Sequence, residues 1–320
     1  MDSGLCCVPR RIEESLVSGE AIAAQLPGGD IEAELAAARR PVSKAFSSWL
    51  RAQPLGAVSA LGIIFMIFIA VFSAQLAPYD PVVPHYDTMI AAPSAEYWLG
   101  TDQYGRDVLS RIIWGTRTAL YVGFTSAILG ATLGLILGVA SAYFGGWFDL
   151  LFQRAVDVFL AFPRIILALA AVAVFGTGTD KVIIAITLPF IPECARMVRS
   201  GALAIRELPY IDAARALGYG PIRIILRHMV PNCMATYLIM LTSFLGQAIL
   251  IEASLSYLGL GVQEPEAAWG LMLQGGAEEY AESAMWIAVF PGLAITLAVF
   301  AFNLFGDAMR DTLDPKLRSR

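Results

Sequence analysis

Of the 320 residues, 57% are apolar and only 15% charged, with a mean hydropathy of +0.65. So little charge excludes an ordinary soluble domain of this length, and a net charge of −5 offers no cationic surplus for nucleic acid. Uncharged gaps run from Arg51 to Asp80, Arg117 to Asp149, Arg227 to Glu252 and Glu282 to Asp307, each longer than the roughly 20 residues that cross a core of about 30 Å. The expected class is an all-α protein that crosses a membrane several times.

Residues 1–53 are polar, with Gly28-Gly29 as a breaker and no early apolar core, so a partly disordered cytoplasmic extension is expected. Cys6, Cys7, Cys194 and Cys233 show neither zinc nor disulfide spacing and read as reduced thiols. A first span is expected within 54–76, closed by Pro78 and Pro81, followed by a loop over 77–113. The second span, about 116–143, carries Gly130, Gly134 and Gly138, a smooth stripe suited to close helix packing. Gly145-Gly146 then makes a turn. Spans are expected at about 150–174, 182–198, 235–258 and 285–304, giving about six within a core that ends at 308, before a tail over 309–320.

Lys and Arg set the orientation. They cluster before the first span, between the fourth and fifth, and at the carboxyl end, while the loop before the last span has none but carries Glu264, Glu266, Glu278, Glu279 and Glu282. Both termini and the loop over 200–232 are therefore expected in the cytoplasm, which requires an even number of spans. Arg106 and Arg111 depart mildly from this rule.

Within that loop, Pro209 is placed to open a short helix and Gly218 to follow its end. Ala213, Ala214 and Ala216 leave the helix thin enough to enter a groove on a partner, and Arg215 can meet an acidic rim. Composition alone favours a solvated helix-turn-helix linking two spans. Among charges in or beside spans, Arg154 and Asp157 are three apart and can pair on one face; Arg164 can pair with another span. Glu252 interrupts an apolar run and either lines a pathway or pairs with a partner subunit. Asp102, Arg106 and Asp107 either hold their loop together or face a solute-binding protein.

The order Asp212-Ala213-Ala214, Gly218 and Val230-Pro231 resembles the cytoplasmic "EAA" loop of ABC-importer permeases, with Asp212 standing where the family carries Glu. The stretches over 100–107, 157–163, 255–261, 302–307 and 310–317 are similar, in matching order, to the dipeptide/oligopeptide/nickel permease family, second-permease type. The resemblance implies a type I ABC importer permease fold in the bacterial inner membrane. It implies a homologous second permease, two ABC ATPase subunits that hold ATP and Mg, and a periplasmic solute-binding protein as partners. Asp212, Ala213, Ala214, Arg215, Gly218 and Pro231 become the ATPase-coupling residues, and short peptides or nickel chelates the solutes.

The sequence carries no phosphate-binding loop of the Gly-x-x-x-x-Gly-Lys type, no hydrolase triad and no metal cluster, with His85 and His228 its only histidines. A non-catalytic conduit is expected, with no cofactor bound by this chain and membrane lipid around it. The rival is an ion-coupled secondary transporter in which Glu252 or Asp157 carries the proton.

Overall fold

The computed structural model describes residues 53–280 and 282–313. The expectations for the amino-terminal extension and for most of the closing tail lie outside the described residues. Helix α1, Pro54–Val71, opens on proline and is followed by the short α2, Ser73–Leu76. A loop with a single 3₁₀ turn at Tyr86–Thr88 leads to α3, Val108–Phe144. At 37 residues, α3 is about 55 Å long and sets the two ends of the molecule. Asp107 caps it, accepting from the Ser110 amide at 2.8 Å. Gly145 closes it at a φ of 61°.

Next come α4, Gly146–Leu160, and α5, Arg164–Phe175, bent by 94° where Pro163 forbids the helix to continue. Helix α6, Thr179–Arg206, then runs beside α3. Three short pieces follow: α7, Pro209–Ala216, α8, Pro221–Ile224, and, after a π turn at Ile225–Met229, α9, Val230–Asn232. The long α10, Met234–Tyr257, the shorter α11, Trp269–Glu279, and α12, Trp286–Leu313, complete the chain.

The glycine stripe of α3 faces α6. A Cβ on Gly130 would stand 2.6 Å from that of Phe190, on Gly134 2.5 Å from that of Cys194, and on Gly138 2.5 Å from the Ala195 carbonyl oxygen. The missing side chains thus let two backbones touch, and dispersion replaces the hydrophobic drive that lipid does not supply. Phe190 stacks on Phe244 of α10 at 4.2 Å, and Phe124 of α3 meets Phe302 of α12 edge-on at 5.9 Å. The core is therefore α3, α6, α10 and α12.

Among the described residues, four helices are long and apolar enough to cross a membrane: α1, α3, α10 and α12; the bent pair α4 and α5, taken as one span, makes a fifth. The expected third span falls on this bent pair. The expected fourth, over 182–198, is the much longer α6, whose 28 residues extend about 42 Å. Its composition is two-faced. Val182, Ile186, Phe190 and Val198 are buried, while Glu193, Arg196 and Arg199 pair outward. Pro189 and Pro192 sit inside it, buried. The second span begins at Val108, earlier than expected, because Asp107 caps a first turn that lies outside the apolar run. Helix α11 was not expected at all.

Candidate functional site

At the Phe144 end of α3, helix α7 begins on Pro209, preceded by Leu208 in an extended conformation. It ends in a Schellman arrangement: the Gly218 amide donates to the Arg215 carbonyl at 2.9 Å, and the Tyr219 amide to the Ala214 carbonyl at 3.2 Å. That geometry requires a left-handed residue, and Gly218 supplies it at a φ of 76°. Ile211 and Ala214 are buried. Asp212, Ala213, Arg215, Ala216 and Leu217 are exposed. The alanines therefore divide: Ala214 seats the helix on the protein, whereas Ala213 and Ala216 leave its outer face thin.

Asp212 accepts from Arg215 at 2.9 Å. Both side chains are exposed, so the pair contributes at most about 1 kcal/mol. Arg215 also lies over the Tyr143 ring at 5.4 Å, which holds α7 to the end of α3. Behind the helix, Tyr219 stacks on His228, and Asn232 donates to the Tyr210 hydroxyl at 3.2 Å and to the His228 carbonyl at 2.6 Å. Pro231 stands exposed in α9. Leu217, Ile222 and Leu226 are each more than half exposed, an unusual density of bare apolar side chains on so short a stretch.

The support of this region was not legible in the sequence. Asp149, in the first turn of α4, accepts from Ser141 of α3 at 2.5 Å and from Arg199 of α6 at 2.6 and 2.5 Å. Arg206 donates to the Ala142 carbonyl at 2.9 Å. An acid in a first helical turn is a readable signal; its long-range partners are not.

The charges near mid-span pair off. Asp157 meets Arg154 at 3.5 Å, as expected, and also Arg196 of α6. Arg164 meets Glu193 at 3.4 Å and Gln247 of α10. Glu252 is 1% exposed and accepts from the Ser256 hydroxyl at 2.7 Å; that hydroxyl in turn accepts from the Val262 amide at 3.2 Å. Glu252 therefore faces packed protein.

At the Val108 end, Asp102, Arg106 and Asp107 are brought together but are buried, at 4, 5 and 2% exposure. They hold their loop from within and offer a partner no contact surface. Asp102 accepts from the Tyr104 and Arg106 amides at 2.9 Å and from Arg106 Nε at 2.7 Å. Arg106 also donates to Glu264 at 2.6 Å. Arg111, fully buried, donates to the Pro81 carbonyl at 3.0 Å and stands 3.7 Å from Asp102 and 3.5 Å from Glu264. Burial works against the charge on Arg106, but the hydrogen bond to Glu264 and the neighbouring carboxylates outweigh it and raise its pKa. Arg111 and Glu264 were missed as site members because Glu264 arrives from far along the chain. Exposed side chains of this loop include Tyr86, Met89, Trp98 and Tyr104.

With both ends in place, the comparison with known proteins is decisive. Residues 130–319 match the family described as binding-protein-dependent transport system inner membrane component. The chain belongs to that family. It is a non-catalytic inner-membrane permease subunit, and the ATPase and the binding protein of its system are separate proteins. A Brucella suis protein named as a peptide transport system permease is 43% identical over 259 residues, covering 80% of this chain and 87% of that one. The glutathione transport system permease protein GsiD of Pectobacterium atrosepticum is 40% identical over 282 residues, covering 88% and 93%. The permease fold is shared with the MetNI methionine ABC transporter in an inward-facing conformation, at a TM-score of 0.50 and 22% identity over 64% of this chain and 97% of that one. Nothing supports an ion-coupled secondary transporter: the family is ATP-driven, and Asp157 is ion-paired while Glu252 is closed in.

Proposed function

We propose that this permease carries short peptides inward as half of a translocation pathway, paired with a homologous second permease, two ATPase subunits and a periplasmic solute-binding protein. ATP and Mg belong to the ATPases alone. Both termini and α7 lie in the cytoplasm, as the Lys and Arg distribution favours; the loop over 77–107 and α11 lie on the periplasmic side. The names of the relatives favour peptides as the solute.

The observation that carries this reading is the division of α7 into a seated and a bare face. Asp212, Ala213, Arg215 and Gly218, with Pro231 behind them, present a thin helix of fixed direction to a groove on the ATPase. Closure of the ATPases on ATP pushes α7, and the tie from Arg206 and Arg215 to the end of α3 passes that displacement to the spans. Arg154, three-quarters exposed, and its partner Asp157, about half exposed, turn their paired charges toward the second permease. At the other end the buried cluster of Asp102, Arg106 and Asp107 fixes the loop that shows Tyr86 and Trp98 to the binding protein.

Leu217→Asp tests the docking surface. The substitution puts a charge into the groove, so ATPase subunits should no longer co-purify with the permease, while the protein still inserts. Full retention of the ATPases would refute the assignment of α7.

A further inference from the structure

At the Val108 end of α3 a cavity of about 880 Å³ opens between α3, the turn joining α5 to α6, and residues 266–267. Its wall carries three carboxylates, Asp80, Asp180 and Glu266, two cations, Arg117 and Lys181, and the ring of Trp114. Four other carboxylates, Asp102, Asp149, Asp157 and Glu193, sit against arginines. In the cavity, by contrast, none of the five charges forms an ion pair among the described residues.

What partners these groups have leaves them half-free. Asp80 accepts from the Val82 amide at 2.8 Å through one oxygen. Glu266 accepts from the Thr179 hydroxyl at 3.0 Å through one oxygen. Arg117 lies over Trp114 at 5.6 Å, an arrangement that orients a guanidinium while leaving its N–H edge open to a carboxylate. The rim is held in place: the Gly178 amide donates to the Gly261 carbonyl at 3.2 Å, joining the α5–α6 turn to the segment after α10. All five charged side chains are exposed, so a solute reaches them from water.

A fixed cavity within the roughly 300–1,000 Å³ of small-molecule sites, with unpaired charges of both signs, suits a ligand that carries both signs itself. The geometry points to a subsite for short zwitterionic peptides, with the terminal carboxylate on Arg117 and Lys181 and the terminal ammonium on Glu266 and its neighbouring carboxylates. It rests on the proposal that this permease carries peptides, and makes the cavity the first stop after release from the binding protein. A zwitterionic lipid headgroup shares this chemistry, and the test separates the two.

The test uses the complete complex, with its ATPases and binding protein, in vesicles of phosphatidylglycerol with and without phosphatidylethanolamine. The readout is labelled trialanine moved per ATP hydrolysed. R117Q and E266Q should lower that ratio about tenfold, the loss of one charge-assisted contact, while ATP hydrolysis stimulated by the binding protein stays as in wild type. Amidating the peptide carboxylate should lower the wild-type ratio similarly, and R117Q should lower it no further, because both changes remove one contact. Arg117→Lys should restore most of the ratio. Should R117Q fail to assemble, K181Q carries the same test. If wild type moves trialanine and both variants match it, the subsite is overturned and peptide transport stands. If the variants shift only the melting temperature, and only with phosphatidylethanolamine present, the cavity holds a lipid headgroup and the subsite is again overturned. If wild type moves no trialanine, peptide transport and subsite fall together.

Discussion

Gly218→Val isolates one backbone angle. A Cβ at residue 218 would meet nothing within 4 Å, so the substitution introduces no clash within this chain. It does place a β-branched residue at a φ of 76°, where left-handed backbone costs about 1–2 kcal/mol. The two hydrogen bonds that end α7, to Arg215 and Ala214, depend on that angle. A loss of about 1–2 kcal/mol reduces the ratio of seated to unseated α7 by a factor of about 5–30. ATP-driven uptake into proteoliposomes should fall in G218V, by up to that factor, while insertion and yield stay near wild type. Gly218→Asn, which tolerates the left-handed region, should keep most of the uptake. Wild-type uptake in G218V would refute the coupling role of the helix end. Equal damage in both variants would refute the backbone argument and point to side-chain volume at the ATPase instead.

Gly138→Ala would set a methyl group 2.5 Å from the Ala195 carbonyl oxygen, and such overpacking costs about 1–3 kcal/mol; thermal unfolding in detergent should shift down, and an unchanged transition would show that α3 and α6 separate freely. Asp102→Asn leaves Arg106 and Arg111 buried with half their compensation, at a cost of about 3–5 kcal/mol. Glu264→Gln, at a position 41% exposed, should cost far less; equal losses of folded protein would contradict that ranking. Glu252→Gln keeps the shape and the acceptor for Ser256, so uptake should stay within about twofold of wild type, and a tenfold loss would mean that the carboxylate carries charge during transport.

The spans at 55–76, 116–143, 235–258 and 285–304 were legible because a run of apolar residues this long has one stable place to go. The bent third span and the long α6 were not. Arg154, Asp157, Arg164, Glu193 and Arg196 look costly one at a time, and only the meeting of α4, α5 and α6 shows that they neutralise one another. The ends of α7 were readable from Pro209 and Gly218, since each residue type has a single use there. Which alanine faces inward was not, because three alanines in four residues carry no periodicity. In the loop over 100–107 an Asp–Arg pairing was readable, but its burial was not, because Glu264 and Arg111 reach Asp102 and Arg106 from elsewhere.

The most direct test of a permease driven through α7 by a separate ATPase is trialanine uptake by vesicles holding either the complete complex or this chain alone. Uptake by the complete complex should require ATP and the binding protein, and should vanish when the ATPase subunits are left out. Uptake by this chain alone, driven by a proton gradient without ATP, would contradict it.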